Sequence, residues 1–249
     1  MTAPAVLTVR GKPVAEVLGS FGKAVPGSVH LSLAPSGGRW CSRSCPHLPA
    51  NGGKCYAERT ERFRIALGDR LAAFDAAGPE PVAARAFAES AIRGHRFPWA
   101  RVSAFGGVPE DPADVPSLVR LVRAWLDAGT PVHFPAETQR KADRWTRAIG
   151  RPEFEVRESV ADPRRFVRAV RHRLRGVFST VAGDPGDSRP ERLRKAREVA
   201  ERARALGDRV IVCPAVASRI LRGSAGSAKC GACRACSDRD IRGVVFPLH

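Results

Sequence analysis

Aromatic side chains make up 6% of this 249-residue sequence, and tyrosine occurs once, at Tyr56. Proteins that hold single-stranded nucleic acid stack its bases on aromatic rings, so this composition weakens any reading built on a stacking platform. Long apolar runs are missing too. Nothing approaches the roughly 18 uninterrupted apolar residues of a membrane span, and Met1–Ser20 lacks the basic start and apolar stretch of a secretory leader. The expected compartment is the cytosol, with no membrane partner. Disulfides rarely persist there, so grouped cysteines read as metal ligands rather than bridges. No internal repeat is present, no compositional step marks a two-domain split, and Gly223–Ser227 is the one loop-like Gly/Ser stretch.

Negative charge is also scarce. Lys and Arg number 42 against 25 Asp and Glu, a net charge of +17. A surface this cationic attracts phosphates and steers a nucleic acid, a nucleotide or an acidic substrate towards the protein. Arginines spread like Arg164, Arg165, Arg168 and Arg171 serve equally to solvate helices. The length suffices for one substantial core, and an α/β barrel of this size is normally one domain.

From residue 97 onwards, short apolar runs alternate with helical patterns. Strands are expected over Phe97–Phe105, Pro131–Pro135, Phe154–Val160, Val177–Ala182 and Val210–Cys213. Helices are expected over Pro116–Ala128, ended by Gly129, and over Lys141–Ile149, Pro163–Leu174 and Pro190–Leu206. "SVHLSL" at Ser28–Leu33 supplies a first strand, bridged to the second by helices over Glu61–Ala76 and Pro79–Ile92. Alternation at this spacing implies βαβ units and a parallel sheet or barrel with outer helices. The expected fold class is therefore α/β, a partial parallel (βα)6 barrel over residues 1–212 with a metal-binding extension over 213–249. Both belong to one compact unit. The tail Ile241–Phe246 adds a further strand or packs across the barrel mouth.

Seven cysteines fall into two sets. Cys41, Cys45 and Cys55 lie in "CSRSCPHLPANGGKCYAE", just after the first strand, where parallel α/β folds carry their ligands. Pro46, Pro49, Asn51, Gly52 and Gly53 make the segment between them a turn-rich loop that brings three sulfurs together. His47 lies between these ligands and reads as an ordinary surface group. Cys213, Cys230, Cys233 and Cys236 form the second set, with two successive Cys-x-x-Cys steps. Four thiolates saturate zinc or an iron-sulfur cluster, whereas three leave one cluster iron open to another ligand.

A three-cysteine loop after the first strand, Tyr56 beside the third cysteine and about six βα units together resemble the radical S-adenosylmethionine superfamily. The small phage and actinobacterial type, with its C-terminal four-cysteine set, is the nearest in pattern. "RVSAFGGVPED" places Gly106 and Gly107 where that family has its glycine motif, and two glycines permit close approach of a ligand to the backbone. The usual loop spaces its cysteines by three and then two residues with the aromatic before the third. Here the second gap is nine and Tyr56 follows.

The resemblance implies an enzyme in which Cys41, Cys45 and Cys55 hold a [4Fe-4S] cluster that binds S-adenosylmethionine. Cleavage of that cofactor gives a deoxyadenosyl radical, with electrons from an external reductant such as a ferredoxin or flavodoxin. Cys213, Cys230, Cys233 and Cys236 would hold an auxiliary iron-sulfur cluster, or zinc. Tyr56, Gly106, Gly107, Glu137, Thr138 and Ser159 are the candidate cofactor contacts. The strand-end polar groups, Glu137, Thr138 and Ser159 with Arg157, Glu158, Thr180 and Asp184, read equally as ligands or helix caps, and for any one of them capping is the safer reading. Two rivals stand beside this reading: a zinc-stabilised nucleic-acid-binding protein, and a two-cluster electron-transfer protein.

Overall fold

A computed structural model describes residues 96–102, 107–172, 176–184, 186–204, 209–222 and 235–247. It also describes short pieces at 8–9, 12–13, 20–21 and 28–31 and the single positions 41, 43, 50, 84, 85, 88 and 233. The chain divides into two compact units, Met1–Val132 with Asp143–Arg151, and His133–Ala142 with Pro152–His249.

In the first unit, β1 (Thr8–Val9) and β2 (Lys12–Pro13) form an antiparallel pair. A second sheet has the order β3 (Ser20–Phe21), β4 (Val29–His30), β5 (Ala100–Arg101), β6 (Val132–His133). β4 and β5 run parallel and are the strands expected around Ser28–Leu33 and Phe97–Phe105. Of the two helices expected between them, Ala84, Arg85 and Ala88 are helical and the rest lies outside the described residues.

Helix α1 (Pro116–Asp127) starts on a proline and buries Leu118, Leu121, Val122 and Trp125, the i, i+3, i+4, i+7 stripe of an outer helix. Its end is fixed by backbone geometry. Gly129 takes φ +74°, and the amides of Gly129 and Thr130 return to the carbonyls of Leu126 and Trp125 at 2.8 and 2.7 Å. These paired bonds make a Schellman motif whose left-handed position suits glycine. The Thr130 hydroxyl then accepts from the Phe97 amide at 3.0 Å, tying the helix end to the approach of β5. Gly129→Val should cost about 1–2 kcal/mol of unfolding free energy, measured by chemical denaturation.

Helix α2 (Gln139–Ile149) begins two residues before its expected start because Thr138 caps it. The Thr138 hydroxyl accepts from the Lys141 amide at 3.3 Å, and its carbonyl from the Ala142 amide at 3.0 Å.

The second unit is built on a five-stranded sheet with the order β10 (Val210–Val212), β11 (Gly243–Pro247), β9 (Val177–Ala182), β8 (Arg157–Ser159), β7 (Pro135–Ala136). Every neighbouring pair is parallel. The tail is thus an inner strand, inserted between β9 and β10. Three helices accompany this sheet: α3 (Pro163–His172), α4 (Arg189–Arg204) and α5 (Pro214–Arg222).

Alternation along the strands sorts the two faces. Val210 and Val245 join a core with Phe166, Val167 and Val170 of α3 and Ala196, Ala200 and Ala203 of α4. Ile211, Val244 and Phe246 join a separate core on the other face. The small residues on α4 let it lie close to the sheet. At Gly243 a Cβ would stand 2.7 Å from the fully buried Phe166 ring and 3.1 Å from Val210. Larger residues are thereby excluded at the point where β11 enters, and Gly243→Val should destabilise by about 1–3 kcal/mol through overpacking. Thermal unfolding would show it.

Both sheets and their helices make the chain an α/β protein with parallel strands. Among the described residues, no helix is long and apolar enough to cross a membrane.

Candidate functional site

The second core of the five-stranded sheet consists of the cysteine-rich segment itself. Cys213 is buried directly after β10, and its amide bonds the Val245 carbonyl at 2.8 Å. Ala235 and Ile241 pack with it against Val244, and Cys233 and Cys236 pack on the same cluster. One face of the sheet therefore carries α3 and α4, while the other carries the cysteines. Cys213 thus meets Cys233 and Cys236, some 20 residues further on, in one apolar pack, although among the described residues no three His, Cys, Asp or Glu side chains form a metal-holding group.

Beneath this segment lies Arg157, the first residue of β8, with 1% of its surface exposed. Its guanidinium donates only to carbonyls. Nε reaches Cys236 at 3.2 Å, Nη1 reaches Phe178 at 2.9 Å, and Nη2 reaches Ala235, Asp238 and Ile241 at 3.2, 3.0 and 3.1 Å. A planar fork with five N–H donors is the one side chain able to gather so many acceptors of a loop. Four of the five carbonyls belong to 235–241, so this cation holds the cysteine segment on the sheet.

The arrangement leaves charge unbalanced. Among the described residues no carboxylate pairs with Arg157. Burial pushes its pKa down to about 10, and the nearby charges of Cys236, Asp238 and Glu155 only partly oppose that shift. A buried cation without a counter-ion is costly. His133, 7% exposed, adds a further tie: its Nδ1 lies 3.0 Å from the Cys236 carbonyl, which makes Nδ1 the protonated nitrogen.

The candidate cofactor contacts are placed as follows. Glu137 pairs with the buried Lys141 ammonium at 2.7 Å, and Thr138 caps α2, so each has a structural partner. Ser159 closes β8, its hydroxyl 3.4 Å from that of Ser179. Gly107 is buried. Tyr56, Gly106, Cys45, Cys55, Cys230 and His47 lie outside the described residues, and Cys41 is half-buried. Among the other polar groups, Asp184 bonds Lys195 at 2.7 Å beside the start of α4, and Thr180 is buried within β9.

Arg157 and His133 were not identifiable as partners of the cysteines from spacing. Both act on backbone carbonyls of 235–241, 78 to 103 residues further along the chain. The usable signal was a lone arginine in a strand run, "EFEVRESV", whose other charged residues are all glutamates. Comparison of the chain with family models, with curated proteins and with solved structures returned no match.

Proposed function

We propose that the chain is a radical S-adenosylmethionine enzyme with an auxiliary iron-sulfur site in its C-terminal segment. The observation that carries this reading is Arg157, buried and bonded to no carboxylate among the described residues, beneath a segment that gathers Cys213, Cys233 and Cys236 on one sheet face. Thiolates loaded with iron and sulfide carry net negative charge, which would add to the partial compensation from Asp238 and Glu155. Zinc held by four thiolates is also anionic, so the second cysteine set alone does not choose the metal. The first set favours iron: three thiols leave zinc without an obvious fourth ligand and leave a four-iron cluster an open position.

In this reading Cys41, Cys45 and Cys55 hold the cluster that binds S-adenosylmethionine, and Cys213, Cys230, Cys233 and Cys236 hold the auxiliary one. When bound and reduced, the first supplies the electron that cleaves the cofactor's carbon–sulfur bond. The chain's own residues have simpler tasks. Arg157 and His133 fix the carbonyls of 235–241 and so set where Cys233 and Cys236 stand. The apolar pack of Ile211, Val244 and Phe246 buries Cys213 and covers one side of the half-buried Cys233 and Cys236. Gly107, without a side chain, leaves room for the amino-acid end of the cofactor.

Metal and acid-labile sulfide analysis of anaerobically purified protein tests the proposal. Iron and sulfide sufficient for two clusters are expected, together with formation of deoxyadenosine on reduction in the presence of S-adenosylmethionine. Stoichiometric zinc without sulfide would overturn the reading in favour of a zinc-stabilised binding protein. Two clusters without cofactor cleavage would leave an electron-transfer protein.

A further inference from the structure

The net charge of +17 has a local focus in the first unit. A solvent-open groove of about 580 Å³ is lined by Arg120 and Arg123 of α1 and by Arg144 and Arg147 of α2. Each pair is three residues apart, which puts its members on one helix face with Cβ atoms about 5–6 Å apart. Like charges at that spacing repel, and four of them share one depression.

Among the described residues little nearby negative charge relieves them. Glu110 reaches Arg144 at 3.9 Å, with side chains 43% and 32% exposed, so this pair is weak. Asp111 stands on the rim, its carboxylate accepting from the Ala113 amide. Arg120 and Arg147 have no partner among the described residues.

The walls are nonetheless held firmly. Arg123 donates to the carbonyls of Ile149 and Ala148 at 2.9 and 2.6 Å, clamping the end of α2 to α1. Trp145, fully buried, donates from Nε1 to the Pro109 carbonyl at 2.9 Å. Arg151 binds Asp127 through two nitrogens at 3.0 and 2.8 Å. The charges are therefore presented by a prearranged surface, which reduces the ordering cost of binding.

From this geometry we infer that the groove binds the phosphodiester backbone of a nucleic acid, independently of sequence. Arginine forks match phosphate oxygens bidentately. Among the described residues no aromatic side chain lines the groove, so phosphates rather than bases are the groups recognised. The open shape and the two rows of charge suit an extended chain better than a compact phosphate, which is usually enclosed by convergent donors. The inference does not rest on the cysteine sites, and its test reads no metal.

Affinity of the full chain for a short duplex DNA, measured by fluorescence anisotropy between about 50 and 200 mM salt, decides it. Arg120→Ala with Arg147→Ala is the test variant. Arg164→Ala with Arg168→Ala, two exposed positions on α3, removes the same charge elsewhere. The groove variant should bind about tenfold more weakly, and the slope of log K against log salt should fall by about 2. The α3 variant should stay near the unaltered protein. Single-stranded RNA should follow duplex DNA, with a shallower slope. Equal losses in the two variants would overturn the proposal and leave the charge diffuse. Tighter binding of inorganic triphosphate than of duplex, lost in the groove variant, would make this a compact phosphate site instead. Equal binding of poly-glutamate would point to an acidic protein partner.

Discussion

Arg157→Met should lower the unfolding free energy by at least about 3 kcal/mol and release the cysteine segment from the sheet. The magnitude follows from weighing two opposed effects. Methionine removes a desolvated charge, a gain of several kcal/mol when considered alone. It also strands five carbonyls, those of Phe178, Ala235 and Ile241 buried, which had shared four charge-assisted N–H donors contributing about 1.5–3 kcal/mol each. Four such bonds outweigh one desolvation penalty. Arg157→Lys, with three donors in place of five, should fold and show intermediate stability. Its amides over 235–241 should exchange faster by hydrogen–deuterium exchange, while those of α4 stay protected. A Lys variant with unchanged exchange over 235–241 would show that the segment is held by its apolar contacts alone.

The second large effect concerns the two thiol sets. Replacing Cys41, Cys45 and Cys55 by Ala should abolish S-adenosylmethionine cleavage and leave about half the iron. Replacing Cys230 and Cys233 should remove the other half and loosen 235–241 as Arg157→Lys does. Sulfide content and electron paramagnetic resonance of reduced protein separate these outcomes. Complete loss of iron from either variant, with the fold retained, would mean one shared site rather than two.

Much of the fold was legible because parallel strands buried on both faces read as short apolar runs. Val177–Ala182 was found to the residue, and α1 was found to within one because Pro116 opens it and Gly129 closes it. Helix α2 starts two residues before Lys141 because Thr138, which reads from sequence as a cofactor contact or a helix cap, is the cap. Helix α5 was missed: Pro214–Arg222 lies between Cys213 and Cys230 and was read as part of a ligand loop. The position of β11 was open, since "RGVVFP" says that a strand forms but not which edge receives it. At the site, the cysteine pattern was visible and its support was not. Arg157 was taken with its neighbours as a strand-end group, whereas its first-residue position turns it inward beneath a segment roughly 80 residues further on.

β11 is made after both strands that flank it. During synthesis, β9 and β10 emerge with a gap between them, and about 30 residues separate β10 from the strand that fills it. At about 5–20 residues per second that interval lasts roughly 2–6 s. Throughout it, each flanking strand exposes a row of unpaired amides and carbonyls, the kind of edge on which chains aggregate. The four C-terminal cysteines all fall within the same interval, Cys213 as its first residue and Cys236 near its end. Completion of the sheet is thus a late event, and a chain stopped before Gly243 would lose both the strand that Cys213 bonds and the core on which Cys233 and Cys236 pack.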